Sequence, residues 1–245
     1  MVEEHGTGRN YRRLDSEQIV ATAGKLSLRV SERFPESGLS HVCRDLLRVA
    51  EQAAVTSQWI AKPNLWLKIG VILCIAVLVA IGLGAFVGTN VQLRFHSLSE
   101  LLQGIEAAIN DVIFLGLATL FLVTWETRIK RKRALKAMHE LRSLAHIIDM
   151  HQLTKDPERL KYPGGNTLSS PDRSMNVFDL IRYLDYCSEM LAIISKIAAV
   201  YVQDFDDDVT LSAVNELENL TSGLSRKIWQ KIMILDRVLP GTENQ

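Results

Sequence analysis

An apolar run without charged residues extends from Ile69 to Val91, and it limits the possible folds more than any other feature. Its 23 residues, "IGVILCIAVLVAIGLGAFVGTNV", include no Asp, Glu, Lys or Arg. About 20 apolar residues in a helix cross roughly 30 Å of hydrocarbon, because each residue adds about 1.5 Å. The stretch therefore predicts a first transmembrane helix, which we assign to residues 66–90.

A second charge-free stretch, "VIFLGLATLFLVTW", runs from Val112 to Trp125. Its 14 residues are too few to span a bilayer alone, so the helix must recruit part of the preceding "GIEAAIND". We assign the second transmembrane helix to residues 107–127. The alternative is a buried helix of a soluble protein, which the flanking charges disfavour.

The charges around these stretches predict the topology. The connecting segment 91–106 contains a single Lys or Arg, Arg94. A cluster of six cations follows the second stretch: Arg128, Lys130, Arg131, Lys132, Arg133 and Lys136. Cations concentrate on the cytoplasmic side of membranes, so the chain is predicted to form a hairpin with both termini in the cytoplasm and a short extracytoplasmic loop at 91–106. The basic cluster then lies at the cytoplasmic membrane edge, where anionic headgroups are expected partners.

Charge and cysteine content exclude other classes of partner. The chain has 28 basic and 28 acidic residues, and no aromatic residue interleaves with the basic cluster, so a nucleic-acid partner is not expected. The last segment, 137–245, is acidic, with 11 basic and 16 acidic residues. Three widely spaced cysteines indicate neither a disulfide framework nor a zinc site, and we expect no cofactor.

The rest of the chain predicts helices on both sides of the hairpin. A flexible tail at 1–14 precedes two cytoplasmic helices within 15–64. No proline occurs between Ser97 and Asp156, which favours one very long helix whose part at 128–156 is a cytoplasmic extension of the second transmembrane helix. A loop at 157–173 leads to a helical hairpin at 174–239, joined by "DFDDD".

Apolar residues at helical spacing form one seam on each of these segments. The seams are Ile19, Ala23, Leu26 and Val30; Val42, Leu46, Val49, Ala53 and Ile60; Ala134, Met138, Leu141, Ala145 and Ile148; Val177, Ile181, Leu184, Leu191, Ile194, Ala198 and Val202; and Val214, Leu217, Leu224, Ile228 and Leu235. They can pack together, between subunits as in a coiled coil, or both. The predicted fold class is an all-α membrane protein, with a hairpin of two transmembrane helices and a cytoplasmic antiparallel helical bundle.

Small residues recur every fourth position in the first stretch. They are Ala76, Ala80, Gly84 and Gly88, and they form one smooth helix face. Small side chains let membrane helices approach closely, so we interpret this ladder as a helix-packing face. Its partner is either the second transmembrane helix or another copy of the chain.

Asp111 and its neighbour Asn110 form a candidate intramembrane polar site. An acid within the hydrocarbon indicates ion passage or proton relay. The interpretation we favour is that Asp111 reaches the outer headgroups by extending along the helix.

Two acidic or histidine-rich patterns suggest metal binding but are incomplete. His139, His146 and Asp149 share a helix stripe, and Asp185 and Glu189 on another helix could in principle complete a metal site. We expect surface histidines there and no metal. Asp204, Asp206 and Asp208 have the spacing of the first calcium-loop ligands, but Val209 and Asn215 replace the required Gly and Glu, so these acids are expected to favour a helix N-terminus instead.

The function predicted from these patterns is that of an integral, multi-pass membrane protein, expected in a bacterial inner (plasma) membrane. Its helical cytoplasmic domain is an interaction or sensor-like module that self-associates and binds a protein partner of unknown identity. No catalytic motif occurs, so we predict that the chain is not an enzyme. One alternative is a small pore or ion-channel subunit whose second transmembrane helix lies near the path; a metal-dependent helical-bundle enzyme is a third.

Overall fold

A computed structural model of the 245-residue chain describes residues 12–62, 69–73, 75–76, 79–80, 98–155, 157 and 175–236. Within these ranges the regular secondary structure is entirely helical, which confirms the all-α prediction there. Residues 1–11 of the predicted tail, 158–173 of the predicted loop and 91–97 of the predicted extracytoplasmic connection lie outside the described residues. Much of the first transmembrane assignment does too, although its described residues are helical.

Five long helices account for most of the described residues. They are α1 (Ser16–Arg33), α2 (Gly38–Ala61), α3 (Leu98–Leu153), α4 (Val177–Val202) and α5 (Asp208–Asp236). With 56 residues, α3 is the single very long helix that the absence of proline predicts.

Side-chain caps explain where three of these helices begin. Asp15 accepts hydrogen bonds from the backbone N–H groups of Glu17 and Gln18 at the start of α1, and Asn176 accepts one from Asp179 at the start of α4. Before α5, the buried Asp207 carboxylate accepts bonds from the backbone N–H and the hydroxyl of Thr210, at 3.0 and 2.8 Å. These bonds satisfy N–H groups that the first helical turn leaves without a partner.

The chain divides into two compact units. The first comprises Met1–Ala61 and Arg133–Gln245, and the second comprises Lys62–Lys132. The first unit therefore combines two segments that are distant in sequence, and α3 contributes residues to each unit.

Contacts between helix ends establish the directions of α1 and α4 in the first unit. At the start of α1, Arg13 is paired with Asp204, which follows the last residue of α4. At the other end, Arg33 contacts Asp179 in the first turn of α4, at 3.3 Å. The two helices are therefore antiparallel.

The other helices follow the same up-and-down pattern. Gly38, the first residue of α2, lies beside His151 near the end of α3, while Trp59 near the end of α2 lies beside Arg133. These contacts make α2 antiparallel to the inner part of α3 (residues 133–153), which belongs to the first unit. The connection of only five residues, 203–207, returns α5 antiparallel to α4, with which it packs extensively.

The apolar seams predicted from spacing pack together into one hydrophobic core in the first unit. Those of α1, α2, inner α3 and α5 are buried at every named position. On α4, Val177, Ile181 and Val202 are only partly buried, but the helix also buries residues outside its predicted seam: Tyr183, Tyr186, Cys187, Met190, Ile193, Ile197, Val200 and Tyr201. α4 is therefore the central helix, which packs against α1, α2 and α5.

Candidate functional site

The outer part of α3 (residues 98–132), in the second unit, exposes large apolar side chains on all sides. Ten large side chains between residues 102 and 125 are each about half or more exposed: Leu102, Ile105, Ile109, Val112, Ile113, Phe114, Leu117, Leu120, Phe121 and Trp125. One helical segment among the described residues, Leu102–Leu153, is long and apolar enough to cross a membrane by length and composition, and its most apolar eighteen residues are not buried. At the C-terminal end of the charge-free stretch, the rings of Phe121 and Trp125 lie 5.6 Å apart between centroids.

The candidate polar site lies within this apolar surface. Asn110 and Asp111 are both exposed and helical, and they directly precede the charge-free stretch that begins at Val112. A Cβ atom built on Gly104 or Gly116, on either side of them, would meet no atom within 4 Å. The described residues thus leave this part of α3 uncovered.

Within the second unit, Lys130 of the basic cluster is turned inward. Its Nζ lies 2.8 Å from Glu126 Oε1 and donates a 3.0 Å hydrogen bond to the backbone carbonyl of Lys62. The Lys130 side chain is only 12% exposed. This lysine links the helix to the residue that follows α2, a role that the charge pattern did not reveal.

Within the first unit, Arg133 is also used internally. Its guanidinium carbon lies 3.9 Å from the centroid of the Trp59 ring, a stacked cation–π contact. Arg128, Lys132 and Lys136 are exposed, and Arg133 is exposed as well despite this contact. The predicted cluster is therefore helical throughout, but its members do not form a uniform ring of solvated charge.

The structure describes half of the small-residue ladder. Ala76 and Ala80 are helical and exposed, as a packing face awaiting a partner requires, whereas Gly84 and Gly88 lie outside the described residues. The packing role of the ladder remains a prediction.

The candidate metal ligands do not come together. Glu189 binds Arg29 through both carboxylate oxygens, at 2.9 and 3.0 Å, and Asp185 is paired with Arg182. His139 and His146 are exposed on α3. Among the residues that the structure describes, no three His, Cys, Asp or Glu side chains are grouped so that they could hold a metal ion.

A cleft of about 450 Å³ between α1 and α4 is lined by Arg29, Glu32, Arg33, Asp179 and Tyr186. Both of its arginines are paired with carboxylates of α4, and the hydrogen bond from Arg29 to Glu189 raises the pKa of that guanidinium. These ion pairs connect α1 to α4 across the cleft.

Two buried thiols lie in the core of the first unit. Burial raises the pKa of Cys43 from 9.0 to about 12, and it raises that of Cys187 to about 12. A thiol held in its neutral form is a poor nucleophile and a poor metal ligand. These cysteines are packing residues of α2 and α4.

Comparison of the chain with protein-family models, curated proteins and solved structures gives no match in any of the three.

Proposed function

We propose that this chain is an integral membrane protein, anchored by a two-helix hairpin, whose first unit is a cytoplasmic, non-enzymatic interaction or sensor-like module. The observation that carries the proposal is the exposed apolar surface of outer α3. Apolar area left in water costs about 25 cal/mol per Å², and soluble monomers rarely expose more than a few hundred Å² in one patch. Bilayer hydrocarbon suits a helix that is apolar on all sides.

Two features of the first unit support an interaction module. Its apolar seams are buried against one another within one chain, so the bundle does not need a partner to complete its core. Large apolar side chains nevertheless remain at its surface, including Met150 and Leu153 on α3 and Trp229 and Met233 on α5. Such residues are enriched where proteins bind one another.

Self-association is the second part of the proposal. The exposed Ala76 and Ala80 offer a face on which helix backbones of two copies can approach closely. Copies in one membrane share the same orientation, so their bundles would lie side by side.

Cysteine labelling in intact cells tests the membrane topology. Arg94→Cys is expected to react with an impermeant maleimide, and Asn166→Cys is expected to react only after the membrane is permeabilised. The parent chain is the background control, because it retains Cys43, Cys74 and Cys187. Labelling of Asn166→Cys alone would overturn the topology, and release of the chain by alkaline carbonate would overturn the membrane anchor itself.

A pore subunit is the second candidate function, and the exposed pair Asn110 and Asp111 favours it. Polar side chains within a membrane span usually face a bundle interior or a water-filled path. Cation flux into liposomes that Asp111→Asn abolishes, while Glu106→Gln leaves it intact, would establish this function. No flux above protein-free liposomes would leave the interaction module as the better proposal.

A further inference from the structure

The basic cluster of α3 divides into cations that the protein uses internally and cations that it does not. Lys130 binds Glu126 and the Lys62 carbonyl, as described above. Arg128 and Lys132, on either side of it, are exposed. Neither forms an ion pair or a hydrogen bond in the described structure. These two cations therefore remain available to an external anion.

Arg128 and Lys132 are placed to act on one anion. They are four residues apart on a continuous helix, so their Cβ atoms lie about 5–6 Å apart on the same face. Trp125 belongs to that face, one turn before Arg128, and it is 53% exposed. The side of α3 that carries both cations thus begins with an indole at the end of the apolar surface.

The chemistry of this face fits a phosphate. Two like charges four residues apart repel each other and weaken a helix unless an anion compensates them. A guanidinium presents a planar fork to phosphate oxygens, and an ammonium adds a compact charge. Indole rings prefer the headgroup level of a bilayer, and Arg128 would lie about 4.5 Å deeper into the cytoplasmic side than Trp125.

We propose that Arg128 and Lys132, with Trp125 beside them, form a binding site for the phosphate of an anionic phospholipid at the cytoplasmic membrane surface. Lys130 has a separate role, because it binds Glu126 and the Lys62 carbonyl within the protein. The site rests on the membrane anchor proposed above, because only an inserted α3 brings this face to the headgroups.

The test compares lipid selectivity of the full-length chain in vesicles of phosphatidylcholine and phosphatidylglycerol. Electron paramagnetic resonance of spin-labelled lipids measures how strongly each lipid is held at the protein surface. The parent chain is expected to prefer phosphatidylglycerol, and each cation removed should lower that preference roughly fivefold at low salt. Arg128→Gln with Lys132→Gln should therefore remove most of it, and high salt should weaken it in the parent.

Two control variants separate the proposed site from overall charge and from folding. Arg226→Gln with Lys227→Gln removes one Arg and one Lys that are exposed on α5, and it should leave the preference unchanged. Lys130→Gln should lower thermal stability while retaining the preference. Equal loss of preference in the α5 variant would overturn the site, because net charge alone would then explain the selectivity.

Failure of the site can be distinguished from failure of the membrane anchor. A chain that resists carbonate extraction, yet shows the same lipid preference with and without Arg128 and Lys132, overturns the headgroup site and leaves the anchor standing. A parent chain that binds inorganic phosphate but does not discriminate between the two lipids overturns the lipid as the occupant. A chain that carbonate releases removes the basis of both proposals.

Discussion

Arg133 lies face-on over the ring of Trp59, with its guanidinium carbon 3.9 Å from the ring centroid. The contact joins the end of α2 to α3 at the point where each leaves the first unit. Because Trp59 is 38% exposed, the contact is only partly desolvated, and it is expected to contribute about 0.5–1 kcal/mol.

The first prediction is that Arg133→Gln and Trp59→Leu each lower the free energy of unfolding of the chain in detergent. A double-mutant cycle should give a coupling of about 0.5–1 kcal/mol between them. Arg226→Gln, an exposed arginine on α5, is the matched control and should change stability little. Independent effects of the two substitutions would contradict the stacked contact.

The second prediction concerns the central position of α4. Ile197 is 1% exposed but lies outside the predicted seam of Leu191 and Ile194. If α4 is packed on several sides, Ile197→Ala should destabilise the chain by about 2–5 kcal/mol in denaturant unfolding. Ile147→Ala on the exposed side of α3 should cost far less, because that side chain is 40% exposed. Similar costs for both would mean that Ile197 is not part of the packed core around α4.

The third prediction concerns the cap of α5. Asp207→Ala removes a buried carboxylate that accepts two hydrogen bonds from Thr210, and it should cost about 0.5–2 kcal/mol of stability. Asp206→Ala removes the neighbouring exposed carboxylate and should have little effect on the melting temperature. A larger loss for Asp206 than for Asp207 would argue against this cap.

The fourth prediction is a loss of stability at alkaline pH. The pKa values of Cys43 and Cys187 are raised from 9.0 to about 12 by burial, so folding favours the neutral thiols. Their contribution is complete below pH 9 and is lost as pH rises from 9 towards 12, with an upper limit of about 1.4 kcal/mol per pH unit for each thiol. Cys187→Ala should flatten the dependence of unfolding free energy on pH above 9. An unchanged slope would mean that this thiol does not resist ionisation.

The fifth prediction tests the small-residue ladder. Ala80→Leu should weaken self-association by about 1–2 kcal/mol, measured by energy transfer between labelled copies in liposomes, because the larger side chain separates the backbones. Gly70→Leu also enlarges a small residue of this segment, but Gly70 lies outside the four-residue spacing of the ladder, so this variant should associate like the parent. Equal association of both variants and the parent would exclude the ladder as an interface.

Helical spacing was sufficient to predict most of the core. Val30, Leu46, Leu141 and Leu217 were each assigned to a seam by periodicity, and each is buried. Periodicity selects one face of a helix, however, and a central helix has several. The broad burial of α4 was missed because it depends on which helices surround it, which is not a local property of the sequence.

The basic cluster shows the same limit at the candidate site. Nine residues of helix cover two and a half turns, so helix geometry alone predicts that the charges of the cluster point in all directions. Which of them turns inward depends on the backbone of Lys62, far away in sequence. The first unit depends on such distant contacts throughout.

The division of the first unit between two sequence segments has a consequence for the order of events during synthesis. α2 ends at Ala61, and the central helix α4 ends at Val202, 141 residues later. A ribosome adding about 5–20 residues per second makes that interval roughly 7–30 s. During this time α1 and α2 have no central helix to cover their apolar seams. We therefore expect the chain to be most accessible to chaperones and proteases after α2 has been made and before α4 is complete.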